Sequence, residues 1–311
     1  MIMTKHRAQV WIVATIACLS LLARVDRTQA GERALTPDVA LAYDRMGPTT
    51  NATVPLVVVN GGPGLTHAYM VQNDVWSRLS RTRSVVFYDQ RGLGRSVLRR
   101  ADAPQTLPAQ VADLDAVRQA LGAPRIDILG DSFGGLIALA YTLAHPDHVR
   151  RLVISDGVPA LEGMVHPLPD TFPDLDAATD AQARGLGAQA AADLRLRTHM
   201  RECFYNPDLA SRYLAGFPGL TVSPDIADRM WHSAEAVDLG LQLHRITAPT
   251  LILTGRFDLN VAVVTAWRMA KAIPGAGFHV FERSGHLPAY EEPDAYVATL
   301  DAFLTFKPAT R

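Results

Sequence analysis

The sequence predicts an α/β fold in which a mostly parallel central sheet is flanked by helices. From Leu41 onward, short runs of β-branched residues alternate with longer segments of helical periodicity, as in strands joined by crossover helices. The chain has 311 residues, 48% of them hydrophobic, so it can bury one large core and also carry an insertion. Residues 159–245 lack strand-like runs, which predicts a helical lid inserted between two core strands.

Short apolar segments of the kind that is covered on both faces of a sheet predict the core strands. In chain order they are residues 56–59, 84–88, 126–129, 152–155, 251–254 and 278–281. Apolar residues at helical spacing from Val111 to Leu121, and again over 261–273, predict two of the intervening helices. The predicted core domain therefore comprises residues 31–158 and 246–311, on either side of the lid.

The predicted lid, residues 159–245, is rich in alanine, aspartate and arginine and is interrupted by several prolines. An insertion of this kind is expected to lie over the carboxyl ends of the strands, where ligands bind in open α/β sheets. In that position it would select the substrate. The alternative is a structural helical layer that does not contact the substrate.

The first thirty residues have the composition of a secretory signal. Lys5, His6 and Arg7 precede an apolar stretch from Val10 to Leu22, and residues 28–30 resemble a cleavage site. The apolar stretch is shorter than the ~20 residues that span a bilayer, which favours a cleaved signal over an uncleaved anchor. We therefore expect an exported, periplasmic or secreted protein with no stable membrane partner after cleavage.

Composition also limits the ligands. The formal charge is −1 and no block of lysine and arginine is present, so a nucleic-acid partner is not expected. No cluster of histidine, cysteine and glutamate has the spacing of metal ligands, and we expect neither a metal nor an organic cofactor. A small molecule or a short peptide is the expected substrate, and the oligomeric state stays open.

A G-x-S-x-G pentapeptide, Gly130–Gly134, lies between a predicted strand and a predicted helix. In a tight strand-to-helix turn the serine hydroxyl is exposed, and glycines on either side let the two elements approach closely. The pattern predicts Ser132 as a nucleophile.

A serine nucleophile requires a base, and the base requires a third group that fixes its tautomer. In the α/β-hydrolase arrangement the chain order is serine, acid, histidine, with each partner on a loop after a strand. Asp258 and His286 follow the last two predicted strands in that order. Asp156, at the end of the preceding strand, is the alternative acid, although a helix cap is the more common role for such a residue.

Acyl transfer also needs hydrogen-bond donors for the developing oxyanion. In this arrangement one donor is the amide of the residue after the nucleophile, here Phe133. The other comes from a loop after an early strand, and the glycine-rich segment Asn60–Gly64 occupies that place. Gly62 is the predicted second donor.

Two segments of the chain resemble motifs of the proline iminopeptidase group of α/β-hydrolases. Asn60–Gly64 is similar to the H-G-G-P-G motif of the group, and Tyr88–Ser96 is similar to its D-Q-R-G-x-G-x-S motif. The resemblance covers about residues 36–157 and 246–306. It implies an acyl-enzyme aminopeptidase that releases N-terminal proline or small residues. Asp89 and Arg91 are expected to stabilise their loop and not to transfer protons.

The chain departs from the group in two places. Asn60 replaces the usual histidine of the first motif, and a Trp-rich lid motif is not found. In the group, acidic lid residues hold the free amino terminus of the substrate. Here the lid glutamates are Glu162, Glu202 and Glu235, of which Glu202 and Glu235 are the preferred candidates. The same triad would equally serve an esterase, lactonase or amidase acting on uncharged small molecules, and a non-catalytic binding protein is a third alternative.

Overall fold

A single twisted sheet organises the computed structural model, which describes residues 32–49, 53–162 and 167–306. Within these residues its nine strands, numbered β1 to β9, are Glu32–Leu35, Val39–Met46, Leu56–Val59, Val85–Tyr88, Val97–Leu98, Ile126–Asp131, Val149–Ser155, Thr250–Gly255 and Gly277–Phe281. Their spatial order is β1-β2-β4-β3-β6-β7-β8-β9, and the short β5 pairs with β2. The predicted signal, residues 1–30, lies outside the described residues.

In the spatial order, the strands β4, β3, β6, β7, β8 and β9 pair in parallel. The strands β1, β2 and β5 pair antiparallel at one end of the sheet. The predicted α/β class with a mostly parallel sheet is therefore confirmed. The six strands predicted from sequence correspond to β3, β4 and β6 to β9. The three antiparallel strands were not predicted.

Alternate side chains of the central strands pack on opposite faces of the sheet. In β3, Val57 and Val59 belong to one apolar cluster, and Leu56 and Val58 belong to the other. Because side chains alternate along a strand, a strand covered on both faces must be apolar at every position. This requirement explains the continuous valine-rich run at this point in the sequence.

Eleven α-helices lie in the part of the chain that the structure describes. Numbered α1 to α11, they are Val75–Leu79, Leu107–Ala120, Phe133–Ala144, Leu168–Thr171, Pro173–Ala183, Ala188–Glu202, Pro207–Gly216, Pro224–Glu235, Val263–Ala272, Pro288–Glu291 and Pro293–Thr305. Helices α1 and α11 cover one face of the sheet, and α2, α3 and α9 cover the other. Helices α4 to α8 lie between β7 and β8 and form the helical insertion. None of the helices described is long and apolar enough to cross a bilayer.

A buried ion pair fixes the loop between β4 and β5 to helix α2. Arg91 is only 2% exposed, and its guanidinium donates two 2.7 Å hydrogen bonds to the Asp113 carboxylate on α2. It also donates to the backbone oxygens of Pro104 and Ala109. Asp89, earlier in the loop, accepts from the backbone amide of Arg95 at 2.9 Å. These contacts agree with the loop-stabilising roles expected for Arg91 and Asp89.

Candidate active site

Ser132 lies on a sharp turn between β6 and α3. Its backbone has φ 52° and ψ −122°, a left-handed conformation that is costly for any residue with a side chain. A Cβ on Gly134 would lie 2.2 Å from the backbone oxygen of Val59, so glycine is required where α3 passes the end of β3. Ser132 is partly exposed, whereas Asp131 and Phe133 on either side of it in the chain are buried. The geometry is that of a nucleophile elbow.

Asp258 and His286 meet at the same edge of the sheet, on the loops that follow β8 and β9. Nδ1 of His286 lies 2.8 Å from Oδ2 of Asp258, and both side chains are buried. The other oxygen of Asp258, Oδ1, accepts hydrogen bonds of 2.8 Å from the backbone amides of Asn260 and Val261. The carboxylate is therefore fixed in orientation, and it holds the imidazole with a proton on Nδ1.

The electrostatic surroundings of His286 favour its protonated form. Burial alone would lower its pKa, but the nearby carboxylates of Asp258, Asp156 and Asp131 outweigh burial and raise the pKa to about 9. On the other ring nitrogen, the Asn260 amide group lies 3.1 Å from Nε2. In the predicted triad this nitrogen would accept the proton of Ser132. The sequence analysis did not single out Asn260.

Asp156 lies beside the pair but is held by other groups. Its backbone has φ 51°, its Oδ1 accepts from the amide of Gly255 at 2.9 Å, and its Oδ2 is 2.9 Å from the Ser155 hydroxyl. Burial raises the pKa of this carboxyl well above its usual range, and Asp258 raises it further. No helix begins at Asp156 among the residues described, so it is a strand-end brace and not a helix cap.

Asp156, Asp258 and His286 could each direct one ligand atom to a common point, since these atoms lie within 4.8 Å of one another. Both oxygens of each carboxylate already have hydrogen-bond partners in the protein. The arrangement therefore suits a hydrogen-bonded catalytic group better than a metal centre.

The loop after β3 lies against the elbow. The backbone amide of Gly61 is occupied, because it donates to the Tyr69 hydroxyl at 2.8 Å. The next residue, Gly62, has φ 122° and lines the cavity in front of Ser132. Asn60 is fully buried, and its side-chain amide donates 2.9 Å hydrogen bonds to the backbone oxygens of Gly61 and Leu65. The residue that replaces the histidine of the motif thus braces the loop.

Ser132 and His286 open into a cavity of about 120 Å³, which we call the catalytic cavity. Both the core and the insertion contribute to its walls. Besides these two residues, the lining consists of Gly62, Pro63, Leu65, Tyr69, Asp131, Leu196, His199, Met200, Cys203, Val222, Asn260 and Leu287. Most of these side chains are apolar, and the cavity has room for a small acyl group.

The two preferred lid glutamates differ in their surroundings. Glu202, the last residue of α6, is 8% exposed, and its Oε1 has no hydrogen-bond partner among the described residues. Burial and then Asp176 raise its pKa to about 7. It lines a second cavity of about 390 Å³, which shares His199 with the catalytic cavity. Glu235 is exposed at the end of α8. Their role in binding an amino group stays a prediction.

Asp131 is a functional candidate that the sequence reasoning did not single out. It precedes Ser132 in the chain, is 6% exposed and lines the catalytic cavity. Its Oδ2 accepts a hydrogen bond from the hydroxyl of Tyr69. Burial raises its pKa to about 6, although His286 and the bond from Tyr69 lower it. Only its place within the pentapeptide could have drawn attention to it.

Fold and site together define a hydrolase, and the chain belongs to the α/β-hydrolase fold family, whose sequence profile matches residues 54–293. It is similar to the proline iminopeptidase of Saccharolobus solfataricus, with 28% identity over 271 residues that cover 80% of this chain and 84% of that protein. The proline iminopeptidase of Heyndrickxia coagulans is 29% identical, with coverage of 80% and 90%. The resemblance to this group is confirmed.

Other relatives bear different hydrolase names. The 2-hydroxymuconate semialdehyde hydrolase of Pseudomonas sp. (strain CF600) is 31% identical over 287 residues, which cover 86% of this chain and 95% of that protein. Among solved structures, an esterase from Rhodococcus sp. ECU1013 superposes with a TM-score of 0.71 at 22% identity, covering 88% of this chain and 98% of the esterase. At that identity the structural likeness shows the fold alone.

Proposed function

We propose that the protein is a serine hydrolase in which Ser132, His286 and Asp258 form the catalytic triad. The observation that carries this proposal is the 2.8 Å contact between His286 and the fixed carboxylate of Asp258, beside the serine of a nucleophile elbow in one cavity. His286 Nε2 accepts the Ser132 proton as Oγ attacks the substrate carbonyl. The amides of Gly62 and Phe133 then donate to the oxyanion.

The reaction passes through an acyl-enzyme. Collapse of the tetrahedral intermediate breaks the bond to the leaving group, which receives the proton from His286. Water then attacks the acyl-enzyme, His286 takes a proton from that water, and Ser132 Oγ is released with the proton returned to it. Asp258 keeps the imidazole in one tautomer throughout and stabilises the imidazolium.

The proposed substrates are short peptides with a free N-terminal proline or small residue, and the proposed location is outside the cytoplasm after removal of residues 1–30. Similarity to curated proline iminopeptidases over about four-fifths of the chain supports the peptidase assignment. The acidic residues support it too, because a desolvated ammonium group requires a partner of opposite charge. Asp131 lies in the catalytic cavity, and Glu202 lies in the adjoining one. N-terminal sequencing of the mature protein tests the export proposal.

An esterase, lactonase or amidase for uncharged small molecules is the second candidate. The observation that favours it is the apolar lining contributed by Leu65, Leu196, Met200, Val222 and Leu287. A small neutral acyl group would be desolvated there at little cost.

The discriminating experiment compares the p-nitroanilides of proline and of N-acetylproline. An aminopeptidase cleaves the free imino compound and loses activity when the nitrogen is acetylated. Equal cleavage of both compounds would exclude the aminopeptidase and favour the second candidate. Labelling by a fluorophosphonate that disappears in Ser132→Ala tests the nucleophile independently of the substrate.

A further inference from the structure

The carboxylate of Asp131 lies next to the nucleophile and within electrostatic range of His286, Asp258 and Asp156. It is 6% exposed and faces both the catalytic cavity and a small aromatic recess behind Tyr69. Among the described residues that line the catalytic cavity, it is the one carboxylate, and the histidines 199 and 286 are the groups that can become positive. Burying an unpaired carboxylate costs free energy, so a buried carboxylate is usually paired with another group or belongs to a functional site.

Tyr69 holds this carboxylate in position. Its hydroxyl donates to Asp131 Oδ2 and accepts from the Gly61 amide at 2.8 Å, so one phenol joins the acid to the glycine-rich loop. A Cβ on Gly61 would lie only 2.7 Å from Ser132 Cβ and 2.9 Å from the backbone oxygen of Asp131. The acid, the loop and the nucleophile are therefore packed against one another, and the direction of the carboxylate is set.

The chemistry of an aminopeptidase substrate places its positive charge close to the reacting carbon. The α-nitrogen is two bonds from the carbonyl carbon, a separation of about 2.5 Å from standard backbone dimensions. Once Ser132 attacks that carbon, the charged nitrogen must lie in the same cavity. The partner of that nitrogen must therefore reach the same cavity. Asp131 lines this cavity, whereas Glu202 lines the adjoining one, and His199 lines both.

We propose that Asp131 is the residue that binds the protonated N-terminal nitrogen of the substrate, with Tyr69 as the group that positions its carboxylate. The inference rests on the proposed aminopeptidase function and assigns the charge partner to the elbow and not to the lid. At neutral pH the carboxylate is available for this role, because burial raises its pKa only to about 6. A substrate whose acyl group carries a carboxylate near the carbonyl carbon would be repelled by the Asp131 carboxylate.

The test measures a selectivity ratio, which is kcat/KM for proline p-nitroanilide divided by kcat/KM for p-nitrophenyl acetate, at neutral pH. Asp131→Asn keeps the size of the side chain and an oxygen that can accept the Tyr69 hydrogen bond, but it removes the charge. We expect the ratio to fall at least about tenfold, mainly through a higher KM for the cationic substrate, because loss of one member of a buried charge pair weakens binding strongly. Glu202→Gln is the matched variant at the competing carboxylate.

Each outcome decides between the two assignments. A fall of the ratio in Asp131→Asn that exceeds the fall in Glu202→Gln supports the proposal. A fall in Glu202→Gln alone overturns it and leaves the aminopeptidase function standing. An equal loss on both substrates in Asp131→Asn also overturns it, since the residue then serves only to position the elbow. A wild-type enzyme that does not distinguish proline p-nitroanilide from its acetylated form instead contradicts the proposed function itself.

Discussion

Replacing Asp258 by asparagine tests how the triad works, and the structure predicts which way the new amide will face. Oδ1 of Asp258 accepts from two backbone amides, those of Asn260 and Val261, at 2.8 Å each. In Asp258→Asn only the amide oxygen can occupy that place, so the NH₂ group must face Nδ1 of His286. His286 must then accept on Nδ1 and carry its proton on Nε2. The nitrogen that should deprotonate Ser132 is blocked.

The expected loss follows from this tautomer change. A wrong tautomer of the catalytic histidine lowers kcat about 10⁴-fold in the Ser-His-Asp template, which corresponds to about 5 kcal/mol of transition-state stabilisation. KM should change little, because Asp258 contacts the Nδ1 side of His286 and does not line the catalytic cavity. The assay is steady-state hydrolysis of p-nitrophenyl acetate, with thermal unfolding as the check that the variant is folded.

Asp156→Asn is the matched control, because it makes the same chemical change at a buried carboxylate beside the same histidine. The asparagine oxygen can still accept from the Gly255 amide, and its NH₂ group can donate to the Ser155 hydroxyl, which reverses the direction of that hydrogen bond. We expect its loss of kcat to be at least about a hundredfold smaller than that of Asp258→Asn. A loss in Asp156→Asn that equals or exceeds the loss in Asp258→Asn would refute the assignment of Asp258 as the orienting acid.

Three further predictions concern the base, the buried ion pair and the elbow. Because the pKa of His286 is raised to about 9, its imidazole is protonated at neutral pH. The value of kcat/KM for a neutral ester should therefore rise with pH up to about 9. A profile that is flat above about pH 7 would contradict this prediction. Arg91→Met leaves the Asp113 carboxylate buried without its partner and should cost about 3–5 kcal/mol in urea unfolding, whereas the double variant with Asp113→Leu should recover most of that loss. Gly134→Ala would place a Cβ 2.2 Å from the Val59 oxygen, so we expect loss of fluorophosphonate labelling; normal labelling would show that α3 can shift away.

The sequence predicted the parallel strands because burial on both faces leaves a continuous apolar run. Strand β2, Val39–Met46, has an apolar first part, but two of its five residues there are alanines, which are depleted in strands, and it ends in Asp44, Arg45 and Met46, which are only half-buried. Strand β5 has only two residues, and β1 is mostly exposed. These strands are defined by their pairing with neighbours, and single-sequence patterns carry little information about pairing.

The placement of the three proposed triad residues was predictable because chain order and strand ends constrain it, whereas the electrostatic surroundings were not. Ser132, Asp258 and His286 each follow a recognisable strand, and the carboxyl ends of parallel strands meet at one edge. Tyr69 and Asp131 are 62 positions apart, and nothing in either segment indicates that a hydroxyl and a carboxylate meet. A buried charge becomes visible only when the packing around it is known.

The insertion is joined by hydrogen bonds to the loop that carries His286, the proposed base. The backbone amide of His286 donates to the Cys203 oxygen at 2.7 Å, directly after helix α6 of the insertion. Glu291 joins the same two segments, because its carboxylate accepts from the amides of Gly285 at 2.6 Å and Asn206 at 2.9 Å. A movement of the insertion would therefore displace the base as well as the cavity wall. For this reason, substitutions in the lid should alter turnover together with substrate selection, and the two effects must be separated by comparing substrates within each variant.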